Sequence, residues 1–240
     1  MASQAQKHLV ILFDLDGTLT DPFEGITRSV RFALEELGRS APPAGELAWC
    51  IGPPLLQSFE RLLAEQGYKT NERRTDVAIE TEAKEALRLY RERFADIGML
   101  ENQVYDGIPG VLEELTDAGY RLFLATSKPR VFAKPILEHF DLARWFQGIY
   151  GSELDGTRSN KGDLLEFILL SEGILPEQAT MVGDRKHDVE GARRVGLKVL
   201  AVSYGYAEPG ELKAAKPDAV VESPVDLLAG LETLFNRSQA

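Results

Sequence analysis

Apolar runs with few polar interruptions recur along this chain: HLVILFD, RLFLATS, QATMVGD and KVLAVSY, with FQGIYGS and DAVVES of the same kind. Short runs rich in Val, Ile and Phe are the pattern of strands buried on both faces of a parallel sheet. Between the runs lie stretches that read as helices. These are PGVLEELTDAG, with Pro109 near its start and Gly119 as its stop, KGDLLEFILLSEG, ending at Gly173, and DVEGARRVG, ending at Gly196. Strand and helix in alternation predict βαβ units and an α/β fold, a doubly wound parallel sheet covered on both faces.

From Asp21 to about Leu100 the alternation stops and helix follows helix. DPFEGITRSVRFALEELG carries Asp21 as an expected N-cap, Pro22 at the first helical position and Glu24 to close a capping box. Its apolar residues Phe23, Ile26, Val30, Leu34 and Leu37 recur at three and four, so one face is expected to be buried. PLLQSFERLLAEQG repeats the pattern. TEAKEALRLYRERFADIG repeats it too, with Ala83, Leu87, Tyr90, Phe94 and Ile97 in line. The expected organisation is an α/β core from residues 1–20 and 101–240, interrupted by an all-helical domain over 21–100.

Composition narrows the partners. The chain has 240 residues, 44% hydrophobic and 27% charged, with a formal charge of −11. That balance argues against a nucleic-acid polymer or an anionic membrane as the main partner, while a phosphorylated metabolite remains compatible if a cation sits in the site. Cys50 is the only cysteine, so no intramolecular disulfide can form; it reads as a small buried residue. No apolar run reaches the roughly eighteen residues of a membrane span, and the N-terminal stretch lacks the pattern of a secretory signal. A cytoplasmic protein is the expectation, as a monomer or a homodimer.

In an open parallel sheet, ligands bind beyond the carboxyl ends of the strands. The first strand ends in Asp14-Leu15-Asp16, and RLFLATS ends in Thr126-Ser127, followed by Lys128. QATMVGD ends in Gly183-Asp184, with Asp188 four residues on, and Lys161 stands in the connection after FQGIYGS. Like charges as close as Asp14 and Asp16 repel, and one would take up a proton unless something positive lies nearby. A cation answers this: Asp14, Asp16 and Asp184 are hard oxygen ligands of the kind Mg²⁺ takes. With a phosphoryl group so neutralised, one carboxylate can attack phosphorus to give an aspartyl-phosphate while the other handles protons. Thr126, Ser127 and Lys161 are the expected phosphate ligands, Lys161 as a point charge.

DLDGT after a strand, a hydroxyl at the next strand end, a lysine and then GDxxxD, in that order, resemble the haloacid dehalogenase superfamily. The resemblance implies that Asp14 is the nucleophile and that Asp16 protonates the leaving group and then activates water. It implies Mg²⁺ held by the Asp14 carboxylate, the Asp16 backbone carbonyl and Asp184, with Asp188 supporting from behind. The helical insert falls where that family carries its mobile C1 cap. Dehalogenases of the family lack the second aspartate, and its mutases usually carry Glu-Asp where this chain has Gly183-Asp184. Phosphomonoester hydrolysis is therefore the expected reaction, with phosphoryl transfer to another metabolite as the alternative.

For the substrate, YRERF, YDGIPGVLEELTDAGYRLFLATSKP and VSYGYAEPGEL resemble bacterial phosphoglycolate phosphatases. The chain departs from them with Thr126-Ser127-Lys128-Pro129, where they usually have Thr-Asn-Lys-Pro, and with DGTRSNKGDLL around Lys161. DPFEGITRSV, DGTRSNK and VGDRKHD resemble the 5′-nucleotidase-like branch more closely. A nucleoside 5′-monophosphate is therefore expected first and phosphoglycolate second. The turn Ile51-Gly52-Pro53 between helices of the insert is the expected specificity element, because cap residues choose substrates in this family.

Overall fold

The computed structural model describes residues 10–70 and 75–236. Six parallel strands form one sheet in the order β5-β4-β1-β6-β7-β8. They are β1 (Val10–Phe13), β4 (Arg121–Pro129), β5 (Phe146–Ser152), β6 (Ala179–Gly183), β7 (Lys198–Val202) and β8 (Ala219–Val221). Two further strands of two residues each, β2 (Thr20–Asp21) and β3 (Gln103–Val104), lie outside this sheet. His8 and Leu9, the expected start of the first strand, lie outside the described residues.

β1 is central because all four of its residues are apolar and buried. It pairs with β4 on one side and β6 on the other, so that Phe13 stands opposite both Leu124 and Val182. Successive side chains leave opposite faces of the sheet. Val10 and Leu12 pack in one cluster with Leu164, Leu165 and Ile168 of α6 (Lys161–Glu172) and Val189 and Ala192 of α7 (Lys186–Arg194). Phe13 meets Phe146 edge-on at 6.3 Å. Strand order reverses at β1, since the chain builds β4 and β5 on one side and β6 to β8 on the other. That reversal makes the carboxyl edge around β1 the place for a ligand.

The remaining helices are α1 (Phe23–Glu36), α2 (Leu55–Thr70), α3 (Asp76–Arg93), α4 (Ile108–Asp117), α5 (Arg130–His139), α8 (Glu211–Ala215) and α9 (Leu227–Asn236). None among the described residues is long and apolar enough to cross a membrane. Internal contacts divide the chain into two compact units. One comprises the chain up to Asp21 and from Val104 onward; the other is Pro22–Gln103.

The second unit contains α1, a 3₁₀ turn (Ala44–Cys50), α2, α3 and a π-helical turn (Phe94–Gly98). Ile26, Val30 and Leu34 of α1 are buried, as are Phe59 and Leu63 of α2. Tyr90 stacks on Phe94 at 5.2 Å and meets Phe59 edge-on at 6.2 Å. Three local expectations fail in this region. Asp21 does not cap α1: Pro22 occupies the cap position with no side-chain cap bond, and the Asp21 carboxylate instead accepts a hydrogen bond from the Tyr206 hydroxyl. Glu24 closes no box and pairs with Arg28 at the surface, 2.7 Å away. Ile97, expected on the buried stripe, is half exposed. A π-turn holds more residues than an α-turn, so the stripe's register rotates there. Gly98 is the buried residue in its place.

Candidate active site

Residues 14–20 form a compact loop immediately after β1. The Asp14 amide continues the sheet by donating to the Val182 carbonyl at 2.9 Å. The Leu15 carbonyl then accepts from the amides of Thr18, Leu19 and Thr20, at 3.2, 2.9 and 3.1 Å, and Gly17 turns the chain at φ +81°. The loop leaves Asp14 and Asp16 flanking a fully buried Leu15.

The two aspartates meet different lysines. Lys161, the first residue of α6, reaches back under the sheet edge. Its ammonium lies 3.0 Å from Asp14 Oδ1 and 2.7 Å from Asp188 Oδ1, and donates to the Ala125 carbonyl at 2.8 Å. Asn160 caps that helix, its side chain accepting from the amides of Gly162 and Asp163, so the lysine is placed by a rigid helix start. Burial alone would push the Lys161 pKa down, but Asp14 and Asp188 outweigh it and raise the pKa above the ordinary lysine value. The second lysine, Lys128 at the end of β4, stands 2.6 Å from Asp16 Oδ2.

Asp184 follows β6 and Asp188 sits in the first turn of α7. Asp184 Oδ2 accepts from the Tyr206 amide at 2.6 Å, and Asp188 Oδ2 accepts from the Arg185 amide at 3.0 Å. Burial is the largest influence on both carboxyls and lifts them above the ordinary aspartate range. For Asp184 the neighbouring Asp188 and Asp14 add to it; for Asp188 the Lys161 ammonium opposes it. Burial likewise lifts Asp16, against the pull of Lys128.

Asp14, Asp184 and Asp188 each offer one oxygen within a sphere where all three lie within 4.8 Å of one another. The buried Oδ1 atoms of Asp16 and Asp184 have no hydrogen-bond partner. Four buried carboxylates face two ammonium groups, a formal excess of two negative charges. The donor set is all carboxylate oxygen. Unpaired buried charge is costly, and a divalent cation matches the excess in both sign and size. The residues therefore fit the metal that the family resemblance implies.

Of the expected ligands, the structure brings Asp14 and Asp184 together and adds the Asp188 carboxylate to the same cluster. The Asp16 side chain is not part of that cluster and pairs with Lys128 instead. Thr126 is buried at the same sheet edge, where its hydroxyl oxygen accepts from the Lys128 amide at 3.2 Å and so keeps its proton for donation. Ser127 is half-buried beside it, its carbonyl taken by the Ser152 hydroxyl at 2.8 Å.

Ile51, Gly52 and Pro53 belong to the helical unit, in the connection between the 3₁₀ turn and α2. Ile51 is fully buried, whereas Gly52 and Pro53 are partly exposed. Sequence reasoning assigned no role to Lys128 or Tyr206. For Lys128 the available signal was its place at a strand end. For Tyr206 it was the VSYGY stretch, which leaves β7 at the same edge.

Residues 11–202 match the family described as "Haloacid dehalogenase-like hydrolase". A protein named 5′-nucleotidase from Pseudomonas aeruginosa is 50% identical over 217 residues, which cover 90% of this chain and 92% of its own. Phosphoglycolate phosphatase 1 of the same organism is 33% identical over 221 residues, 91% of this chain and 78% of its own. Among solved structures, one described as "a predicted phosphatase from Clostridium acetobutylicum" has a TM-score of 0.81 at 42% identity, over 95% of this chain and 98% of that one. A strand-end aspartate pair, a buried helix-start lysine and a carboxylate cluster on one sheet edge, in a chain matched over most of its length, place it in a single family: the chain belongs to the haloacid dehalogenase-like hydrolases.

Proposed function

We propose that this haloacid dehalogenase-like phosphatase hydrolyses a nucleoside 5′-monophosphate through an aspartyl-phosphate on Asp14, with Mg²⁺ as its cofactor. The observation that carries the reading is the division of labour at the DLD loop. Asp14 sits in the metal-competent cluster beside Lys161, and Asp16 stands apart from that cluster with one oxygen unpartnered. The 50% identical 5′-nucleotidase supports the substrate class.

In the first half-reaction an Asp14 carboxylate oxygen forms a bond to phosphorus while the ester P–O bond breaks. The departing oxygen takes a proton from Asp16. In the second, Asp16, now ionised, takes a proton from water. The water oxygen bonds to phosphorus, the acyl-phosphate P–O bond breaks, and Asp14 is restored with release of inorganic phosphate. General acid–base assistance of this kind contributes on the order of 10²- to 10⁴-fold. Thr126, Ser127 and Lys161 hold the phosphoryl oxygens, the Thr126 hydroxyl being left free to donate by its bond from the Lys128 amide. Mg²⁺, bound by Asp14, Asp184 and the Asp16 backbone carbonyl with Asp188 behind them, would neutralise the clustered carboxylates and the phosphoryl charge.

Phosphate release is measured across nucleoside 5′-monophosphates, phosphoglycolate, sugar phosphates and an aryl phosphate, with Mg²⁺ and with chelator. Mg²⁺-dependent release that disappears in Asp14→Asn is the expected result; wild-type rates in that variant would sink the mechanism. Phosphoglycolate is the second reading, favoured by the 33% identical relative, and a higher kcat/KM for it than for any nucleotide would replace the first. Substitutions at Gly52 and Pro53 that shift the ranking of substrates would support their part in specificity.

A further inference from the structure

The two lysines at this site divide between the two aspartates of DLD. Lys161 faces Asp14, Asp188 and the Ala125 carbonyl. Lys128 is almost as deeply buried, its side chain 6% exposed, yet it faces Asp16. It grips Oδ2 at 2.6 Å while Oδ1 of the same carboxylate is buried with no hydrogen-bond partner. The backbone amide of the same residue donates to the Thr126 hydroxyl at 3.2 Å. One residue thus touches both the proton-handling aspartate and the hydroxyl assigned to the phosphoryl group.

Resting on the function proposed above, we infer that Lys128 is a positioning residue: its ammonium fixes Asp16 by Oδ2 so that Oδ1 is presented for proton transfer, and its amide aims the Thr126 hydroxyl. A short carboxylate side chain rotates about two bonds, and proton transfer requires the acid within about 3 Å of the leaving oxygen. A charge-assisted hydrogen bond to one oxygen removes that rotation without occupying the other. A displacement of about 1 Å at a reacting group costs on the order of a hundredfold in rate.

The test uses a series of aryl phosphates whose leaving phenols span a wide range of acidity. For these, kcat/KM reports only the steps through formation of the phospho-enzyme. A good leaving group needs little protonation and a poor one needs much. In Lys128→Met the expected loss is roughly a hundredfold for the poorest leaving group and under about threefold for the best, so dependence on leaving-group acidity steepens. Asp16→Ala shows the same steep dependence, and adding Lys128→Met to it costs nothing further. Lys128→Arg keeps the charge and restores part of the loss.

A fall in kcat/KM of equal size across the series overturns the inference, because it marks a phosphate ligand or a structural support. So does a loss in the Asp16→Ala background as large as in wild type. If Lys128→Met alone fails to fold, comparison of Asp16→Asn with Asp16→Asn/Lys128→Met, which removes the unpaired charge, decides the same point. Wild-type protein inactive on every ester, or an active Asp14→Asn, counts against the proposed function. An unchanged leaving-group dependence in an otherwise active enzyme counts against Lys128 alone.

Discussion

Replacing Gly17 by alanine separates what backbone strain costs from what the site costs. Gly17 stands at φ +81°, where a Cβ is disfavoured by about 1–2 kcal/mol. The Cβ of the variant would also stand 2.7 Å from Asp184 Cγ, closer still to Oδ2 and 3.1 Å from Tyr206. Ordinary contact begins near 3.4 Å, so Asp184 must retreat by roughly 0.7 Å or more. It has no easy retreat, because its Oδ2 is tied to the Tyr206 amide. Misplacing a reacting or ligating group by about this much lowers kcat/KM by on the order of ten- to a hundredfold. Gly119 provides the matched control, with φ +87° and nothing within 4 Å of a built Cβ. Its alanine variant is expected to lose the same 1–2 kcal/mol, a fall in Tm of roughly 2–8 °C, with wild-type turnover. The assay is phosphate release against Mg²⁺ concentration, with thermal melts of both variants. Gly17→Ala with wild-type kcat/KM and wild-type Mg²⁺ dependence would refute the proposed role of Asp184 as a metal ligand packed against the loop.

Three further outcomes are expected. Burial lifts the Asp184 and Asp188 carboxyls above their unfolded values, so the folded state holds their protons longer, and stability falls as pH rises from the unfolded towards the folded pKa. Mg²⁺ bound as proposed must displace those protons, so the stabilisation it gives, about 2.7 kcal/mol at a hundredfold excess over Kd and read as a rise in Tm, should shrink from about pH 8 to about pH 5; equal shifts at both would contradict the cluster. Glu211 is buried against Arg185 at 2.9 Å and also accepts from the Lys186 amide at 2.8 Å, so Glu211→Ala should cost about 3–5 kcal/mol in denaturant unfolding; a loss under about 1 kcal/mol would show the pair to be dispensable. The Cys50 thiol is pushed up to about 12 by burial, so a thiol reagent should leave the folded protein untouched and label it once on unfolding; rapid labelling of the native protein would contradict its packing.

The sheet was legible because strands buried on both faces must be apolar throughout, and VILF in β1 or ATMVG in β6 has no other reading of comparable strength. The helical insert was legible from spacing. Its entry was misread because an aspartate before Pro-Phe-Glu looks the same whether it caps a helix or bonds a residue far along the chain. The Asp21 carboxylate accepts from Tyr206, 185 positions away, and nothing near residue 21 signals that partner. The misplaced Ile97 has a similar origin. A π-turn is one residue of phase, invisible to a pattern that assumes a constant period. Strand β4 also runs on through Lys128 and Pro129, past the point where its apolar run stops, because it pairs with β5 through a register shift.

The site was legible to the extent that its residues are strand ends. Asp14 and Asp184 follow β1 and β6, and Thr126 lies towards the carboxyl end of β4, three strands that the sheet sets side by side, so their convergence follows from topology once the strands are known. Charge balance could not be read in the same way. The sequence holds 27 lysines and arginines, most at surface positions where a basic residue is ordinary. Which of them lies within about 3 Å of the site's own carboxylates is a tertiary fact. The structure selects Lys161 and Lys128, and only after that selection can four carboxylates be set against two ammonium groups. The opening difficulty, two like charges at the end of a buried strand, is thereby resolved in two parts. Asp16 is balanced by a lysine of the chain itself. Asp14, Asp184 and Asp188 share one lysine among three, and their remaining charge equals that of a divalent ion. A chain that neutralised all four with its own lysines would leave no charge for a metal to balance; the shortfall of two is what fits this edge of the sheet to a divalent cation.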